Sequence, residues 1–356
     1  MIPPFGTIGL PPFTMGTMTD LSSRLSPPEV APIPGPHLGL RWRAMLPSDA
    51  GAVAALVRRV EDDDCTVIRT SAEDIAASMA GGFGRDRKDS IVGIDEDDGI
   101  QAIGTVQVLG EVTERATAVI KAAIAPEWRG RGIGRGLLHW QDARARQLLI
   151  EAYGPDSDKP AVIMNWVDAH MTDRRRLYIA AGFYARRTFA QMTRPLGGSP
   201  VPGGMPDGYT VVPLADADPA ELLSVHRQTS ANQFMPAFSD LWWKAAEKVR
   251  RDEWSFAALD AAGHVAAFAV GTVHPDRWIA LGRTECQVEL IGVRTEDQDR
   301  GLRAALLEAV GDAAAADGIT HLSVEVDMSG PTDRHSAYEK LGFTDERSFI
   351  FYSIEE

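Results

Sequence analysis

The sequence predicts an α/β protein made of two copies of one domain in tandem. Three observations carry that expectation. A glycine-rich loop at 129–134 joins a strand-like segment to a helix-like one. The same order of segments returns in the second half of the chain. A stretch rich in proline and glycine, 195–206, divides the two. At 356 residues the chain has room for two domains of ordinary size, and its 44% apolar content can fill two cores.

In the first copy, 38–45 reads as a strand that leads into a helix Ser48 can cap. A hairpin turns at Asp97, Asp98 and Gly99. Segment 117–125 reads as a strand that Pro126 ends, and after the loop Ile133, Leu137, Leu138, Gln141, Ala145 and Leu148 recur at helical spacing. Segment 161–167 reads as a buried strand, and the short helix after it stops at Gly182. In the second copy, 208–214 is a strand, and Asp218 is an N-cap with Pro219 at the first helical position. A hairpin turns near Ala262 and Gly263. Strand 287–293, loop 298–303, a helix through Leu306, Leu307 and Val310, and strand 320–326 then follow in the same order as before. Tyr338, Gly342 and Phe343 repeat the spacing of Tyr178, Gly182 and Phe183. Gly132 and Gly301 lie 169 residues apart, and Gly182 and Gly342 lie 160 apart, so the copies differ only by small insertions.

The expected organisation is a disordered segment 1–36, a first domain 37–194, a linker 195–207 and a second domain 208–356. Segment 1–36 holds nine of the 22 prolines and no periodic apolar pattern. It has no Lys or Arg before Arg24, which argues against a secretory signal, and Met15 or Met18 is an alternative start. No apolar run is long enough to span a membrane. The cysteines, Cys65 and Cys286, form no disulfide framework and are expected as core or surface thiols. The expected location is cytoplasmic, with no resident metal.

The loop carries the chemistry. A glycine-rich turn at a helix N-terminus offers free backbone N–H groups to an anion, and Arg129, Arg131 and Arg135 add positive charge, so a pyrophosphate is expected there. A Walker loop would need Lys-Ser/Thr where Arg135 and Gly136 stand. A dinucleotide fingerprint would need a third glycine at Arg135, and a place after the first strand of its unit.

The loop, through Arg129, Gly132 and Gly134, and the later Tyr178, Gly182 and Phe183 together resemble the motifs of the GNAT superfamily of acetyl-CoA-dependent N-acyltransferases, and the resemblance covers nearly all of the chain beyond residue 36. It implies two tandem GNAT-like domains, each a mixed, mostly antiparallel sheet flanked by helices. It also implies that acetyl-CoA is a co-substrate, with Ile124 and its neighbours on the pantetheine arm and Arg129, Gly130, Arg131, Gly132, Ile133, Gly134 and Arg135 on the pyrophosphate. Tyr178 would be the general acid. A phenol with a pKa of about 10 can protonate a departing thiolate and remain protonated at neutral pH. A general base is not evident: strand 117–125 carries no carboxylate, and Glu111, Glu114 and Asp168 are its candidates. The asparagine that many members carry before the motif tyrosine is missing at that spacing.

Charge ranks the two loops. Residues 127–135 hold one acid and three arginines (+2), whereas 296–303 hold three acids and two arginines (−1), and Arg303 replaces the last glycine. The first half is therefore expected to bind acetyl-CoA and the second to be degenerate. The net charge of −14 disfavours nucleic acid and favours a small cationic amine as acceptor. The acidic run Glu61 to Asp64 is expected as a solvated loop. An N-acetyltransferase is the reading, with a homodimer among its expected assemblies; a non-catalytic acyl-CoA-binding or sensing protein is the alternative.

Overall fold

The computed structural model describes residues 20–79, 87–198, 204–231, 236–329 and 332–356. The first half contains α1 (Leu21–Leu25), β1 (Arg41–Ala44), α2 (Ala50–Asp63), α3 (Ala72–Met79), β2 (Arg87–Ile94), β3 (Ile100–Val108), β4 (Ala116–Ile124), α4 (Ile133–Tyr153), β5 (Ala161–Asp168), α5 (Thr172–Ala180) and β6 (Tyr184–Pro195). The second contains β7 (Tyr209–Pro213), α6 (Pro219–Ser230), α7 (Ser239–Val249), β8 (Phe256–Asp260), β9 (Val265–Val273), α8 (Pro275–Leu281), β10 (Glu285–Val293), α9 (Leu302–Ala316), β11 (His321–Asp327), α10 (Thr332–Lys340) and β12 (Thr344–Glu355). The repeat and the α/β class are as the sequence predicts. Asp218 caps α6, accepting from the N–H groups of Ala220 and Glu221.

One 12-stranded sheet joins both halves, in the order β1-β2-β3-β4-β5-β12-β6-β11-β10-β9-β8-β7. Pairing is antiparallel except at β4–β5 and β10–β11. The last strand of each half is exchanged. β12 pairs with β5 of the first half, and β6 pairs with β11 of the second. The boundary at 194 thus divides the chain but not the cores. Ile350 and Tyr352 of β12 are buried in the first-half core with Tyr178, while Ala190 and Met192 of β6 lie in the second-half core.

Each half has helices on both faces. In the first, α4 packs one face around Leu137, Leu138 and Trp140, and α2 packs the other around Val53, Leu56 and Val60. α4 approaches β3 closely: a Cβ on Gly104 would lie 2.8 Å from Leu137 Cδ2. Buried Gln141 bridges the strands below, donating to the carbonyls of Thr105 and Lys121.

Two expectations are corrected here. Segment 20–36 is not disordered. Leu21 and Leu25, one helical turn apart, are fully buried in the first-half core, and Arg24 donates to the carbonyls of Lys159 (2.7 Å) and Glu356 (2.6 Å). Proline content had concealed that short apolar face; residues 1–19 lie outside the described residues. Ser48 does not cap α2. It sits in a 3₁₀ turn, where the Asp49 carboxylate accepts from the Leu46 N–H and pairs with Arg43. That pairing with Arg43 holds the Asp49 carboxyl below its usual range.

Candidate active site

Parallel pairing between β4 and β5 runs from Ala116↔Ala161 to Val119↔Met164 and goes no further. In the second half, β10 and β11 likewise pair only from Glu285↔His321 to Val288↔Val324. Beyond those points each strand pair parts, and the helix after it brings a tyrosine to the gap.

In the first half that tyrosine is Tyr178, buried at 4% exposure, edge-on to Phe183 at 5.1 Å and stacked on Tyr352 at 5.7 Å. The Asn165 side-chain amide donates to its hydroxyl oxygen, and the Asn165 side-chain oxygen accepts from the Trp166 N–H. Burial pushes the phenol pKa up, against the opposing pull of that hydrogen bond. The phenol stays protonated, and its own O–H is left to donate elsewhere. The partner of the tyrosine comes from β5, 13 residues earlier in the chain.

The loop before α4 has the backbone an anion site needs. Gly130 (φ 76°) and Gly132 (φ 90°) are left-handed, both are exposed, and a Cβ on Gly130 would meet nothing within 4 Å. Ile133 is buried beneath, and Gly134 packs on Leu177 and Ile124. On the other side of the turn, Leu38 lies against Gly132. Arg135 and His139 point into a groove of about 270 Å³ between α4 and α5, floored by Leu138, Leu177 and Phe183. Arg131 is exposed over the Trp128 ring at 4.4 Å.

Arg129 is placed differently from Arg131 and Arg135. Its Nη1 pairs with Asp63 (2.9 Å) and Asp64 (2.8 Å), and its Nε donates to the Ile124 carbonyl (3.2 Å). Asp64 also accepts from Arg174 (2.8 Å), and its carbonyl meets His170 Nε2 (2.8 Å). Glu61 is buried and accepts from Thr70. The acidic run is therefore no solvated loop: Asp63 and Asp64 hold the end of α2 to Arg129, Asp64 ties it to α5 through Arg174, and Glu61 anchors Thr70. Among the base candidates, Glu111 pairs with Lys244 across the two halves.

The second half differs in loop and cleft. Asp299 (φ 64°) and Gly301 (φ 87°) repeat the left-handed backbone, now with carboxylates. Asp297 is buried. Although desolvation opposes it, the Tyr209 hydroxyl and Arg294 hold its carboxyl below the usual range. A cavity of about 740 Å³ passes through the gap between β10 and β11. On the α9/α10 side it meets Tyr338 and Arg303, whose Nη1 donates to the Tyr338 hydroxyl at 3.3 Å. On the α6/α7 side it meets Glu289 and Glu325. Glu289 is the extra residue of a β-bulge in β10, between Val288 and Leu290, whereas β3 and β4 pair without a shift. Cys286 is buried with its thiol pushed up to about 12, so it is no nucleophile at neutral pH.

Residues 220–343 match the family model described as Acetyltransferase (GNAT) family. Two curated relatives are mycothiol acetyltransferases. That of Thermobifida fusca is 26% identical over 279 residues, covering 73% of this chain and 80% of the relative. That of Tsukamurella paurometabola is 28% identical over 244 residues, covering 66% and 77%. A solved GCN5-related N-acetyltransferase from Sphaerobacter thermophilus shares the fold at a TM-score of 0.64 and 19% identity, over 89% of this chain and 95% of that one. A tandem GNAT protein from the clavulanic acid biosynthesis pathway does so at 0.63 and 15%, over 89% and 98%. Among the described residues no helix is long and apolar enough to cross a membrane.

Proposed function

The chain belongs to the GNAT superfamily of acetyltransferases as a tandem of two such units, and from that premise we propose that it moves an acetyl group from acetyl-CoA to the amine of a small, cationic molecule, with the coenzyme on its first half. The observation that carries this reading is the combination at α4 and α5: an open left-handed glycine turn, a groove with Arg135 and His139, and Tyr178 at the adjoining strand gap.

The pyrophosphate is read by backbone N–H groups at Gly130, Arg131, Gly132, Ile133 and Gly134, with Arg131 and Arg135 adding charge. Arg129 holds the loop against the end of α2 and shapes the turn from behind. The arm of the coenzyme passes Ile124 toward the gap between β4 and β5, where amide-like pairing to the freed strand edge positions the thioester. The neutral acceptor nitrogen attacks the thioester carbonyl, the C–S bond breaks as the N–C bond is made, Tyr178 gives its proton to the leaving thiolate, and the proton shed by the nitrogen passes to solvent, from which Tyr178 is reprotonated. Asn165 keeps the phenol oxygen fixed throughout. The second-half loop, with Asp297 and Asp299, repels the same pyrophosphate.

The test is acetyl-CoA binding by calorimetry, together with thiol release in the presence of an amine panel. Gly132→Trp is expected to abolish measurable binding, because a side chain both strains the left-handed turn and fills the space a phosphate needs. Gly301→Trp is expected to leave binding intact. The opposite pattern would assign the coenzyme to the second half. Coenzyme binding with no turnover on any amine would favour the non-catalytic alternative.

A further inference from the structure

Residues 26–38 run along α4 as a strap between two anchors. Before them, α1 sets Leu21 and Leu25 in the first-half core. After them, Leu40 is buried in the same core and the chain enters β1. Prolines at 27, 28, 32, 34 and 36 fix the backbone between these points and leave it few N–H groups for pairing in a sheet. Helix α4 supplies the hydrogen bonds instead. Arg146 Nη1 donates to the Leu25 carbonyl (2.8 Å), and Gln147 Nε2 donates to the Pro28 carbonyl (2.8 Å). Ala31, Pro34 and Leu38 turn inward, while Val30 and Ile33 stay exposed.

The strap ends on the glycine turn. A Cβ on Gly132 would lie 3.4 Å from Leu38 Cδ2, and one on Gly136 would lie 3.0 Å from Pro34 Cβ. Gly39 (φ 83°) lies against the Trp128 ring, which Arg131 covers at 4.4 Å. These contacts account for Gly136, which the motif of Arg129, Gly132 and Gly134 does not require. A helix interior favours alanine over glycine, yet a methyl group here would press on Pro34. Gly130 and Gly132 are exposed and have no side chains to pack. Neighbouring groups must therefore hold the turn. Leu38 does so at Gly132, and Asp63 and Asp64 do so through Arg129.

We propose that Leu38 and Pro34 are positioning residues for the coenzyme turn. The strap keeps Gly132 left-handed and the first turn of α4 wound before the pyrophosphate arrives, so that binding does not have to order them. Its effect on the coenzyme rests on the acetyl-CoA reading above; its hold on the turn does not, and is measured without coenzyme.

The experiment compares the full chain with Leu38→Ala, Leu38→Met and Leu307→Ala. Hydrogen exchange is read first, in free protein, at the Gly136 amide, which donates to the Gly132 carbonyl (3.1 Å) and closes the first turn of α4. Leu38→Ala is expected to speed that exchange about tenfold and to leave amides 145–152 as in the parent. Acetyl-CoA is then titrated by calorimetry, and thiol release is followed with an amine panel. Leu38→Ala is expected to raise Kd and KM for acetyl-CoA about tenfold and to keep kcat within about twofold, because Tyr178 keeps its bond to Asn165. Leu38→Met retains the apolar bulk and is expected to behave as the parent. Leu307→Ala, a truncation in the second-half core, is expected to lower the melting temperature but leave Kd and Gly136 exchange unchanged. Unchanged Gly136 exchange in Leu38→Ala, or equal loss of coenzyme binding in Leu307→Ala, overturns the proposal. Faster exchange with an unchanged Kd also overturns it when Gly132→Trp abolishes binding. If Gly132→Trp binds acetyl-CoA as the parent does, the coenzyme reading itself has failed, and the strap's role at the coenzyme falls with it.

Discussion

Tyr178→Phe is expected to lower kcat by about 10²–10⁴-fold, the usual range for loss of a positioned acid, with little change in KM for acetyl-CoA. The substitution keeps the ring, and with it the stack on Tyr352 and the edge contact to Phe183. Only the hydroxyl goes, and two consequences follow from it. The departing thiolate loses its proton donor, which acts in the transition state alone. Asn165, buried at 8% exposure, loses the acceptor for its amide, which destabilises the fold by about 1–3 kcal/mol. Thermal melting isolates the second effect and single-turnover thiol release isolates the first. Tyr338→Phe is the internal control, because Tyr338 is equally buried and has its own partner in Arg303. A large loss at Tyr338 with none at Tyr178 would move the chemistry to the second half.

What could be read in the sequence was local. The glycine turns, the periodicity of α4, the Asp218 cap and the spacing of Tyr178 to Gly182 all depend on residues within a turn or two of one another. They identify a strand, a loop or a helix without reference to the rest of the chain. What could not be read was pairing between distant segments. Alternation along β12 says which residues share a face, but not that Tyr352 faces Tyr178 rather than Tyr338. The Asn165 to Tyr178 contact and the hold of Arg129 and Arg174 on Asp64 are equally non-local. Glu289 was hidden for another reason. As the extra residue of a bulge it breaks the alternation from which its face would be inferred. Charge counting along the two loops ranked them, yet it could not register carboxylates that converge from different strands.

Strand exchange also sets how the protein fails. Tyr352→Ala is expected to cost about 3–5 kcal/mol, the range for truncating a large buried aromatic side chain, and to lower the melting of the whole chain as one transition. Tyr352 is encoded in the second half, has no exposed surface, and is packed in the first-half core against Tyr178. β12 is hydrogen-bonded to β5 on one side and to β6 on the other, so its loss would leave two unpaired edges in the middle of the sheet. Phe351, on the opposite face of the same strand, packs with Val162, Met164 and Phe238, and joins α7 to the first half in the same way. Calorimetry with and without acetyl-CoA checks the coupling. If the halves are one cooperative unit, coenzyme on the first half raises the single transition of the parent, and Tyr352→Ala lowers that same transition. Two separable transitions, with only the second-half one shifted by Tyr352→Ala, would show that the exchanged strands do not bind the halves into one folding unit. The reason to expect coupling is geometric: a cut of the chain between the halves leaves neither core complete, because Tyr352 of the second half serves the first core and Met192 of the first half serves the second.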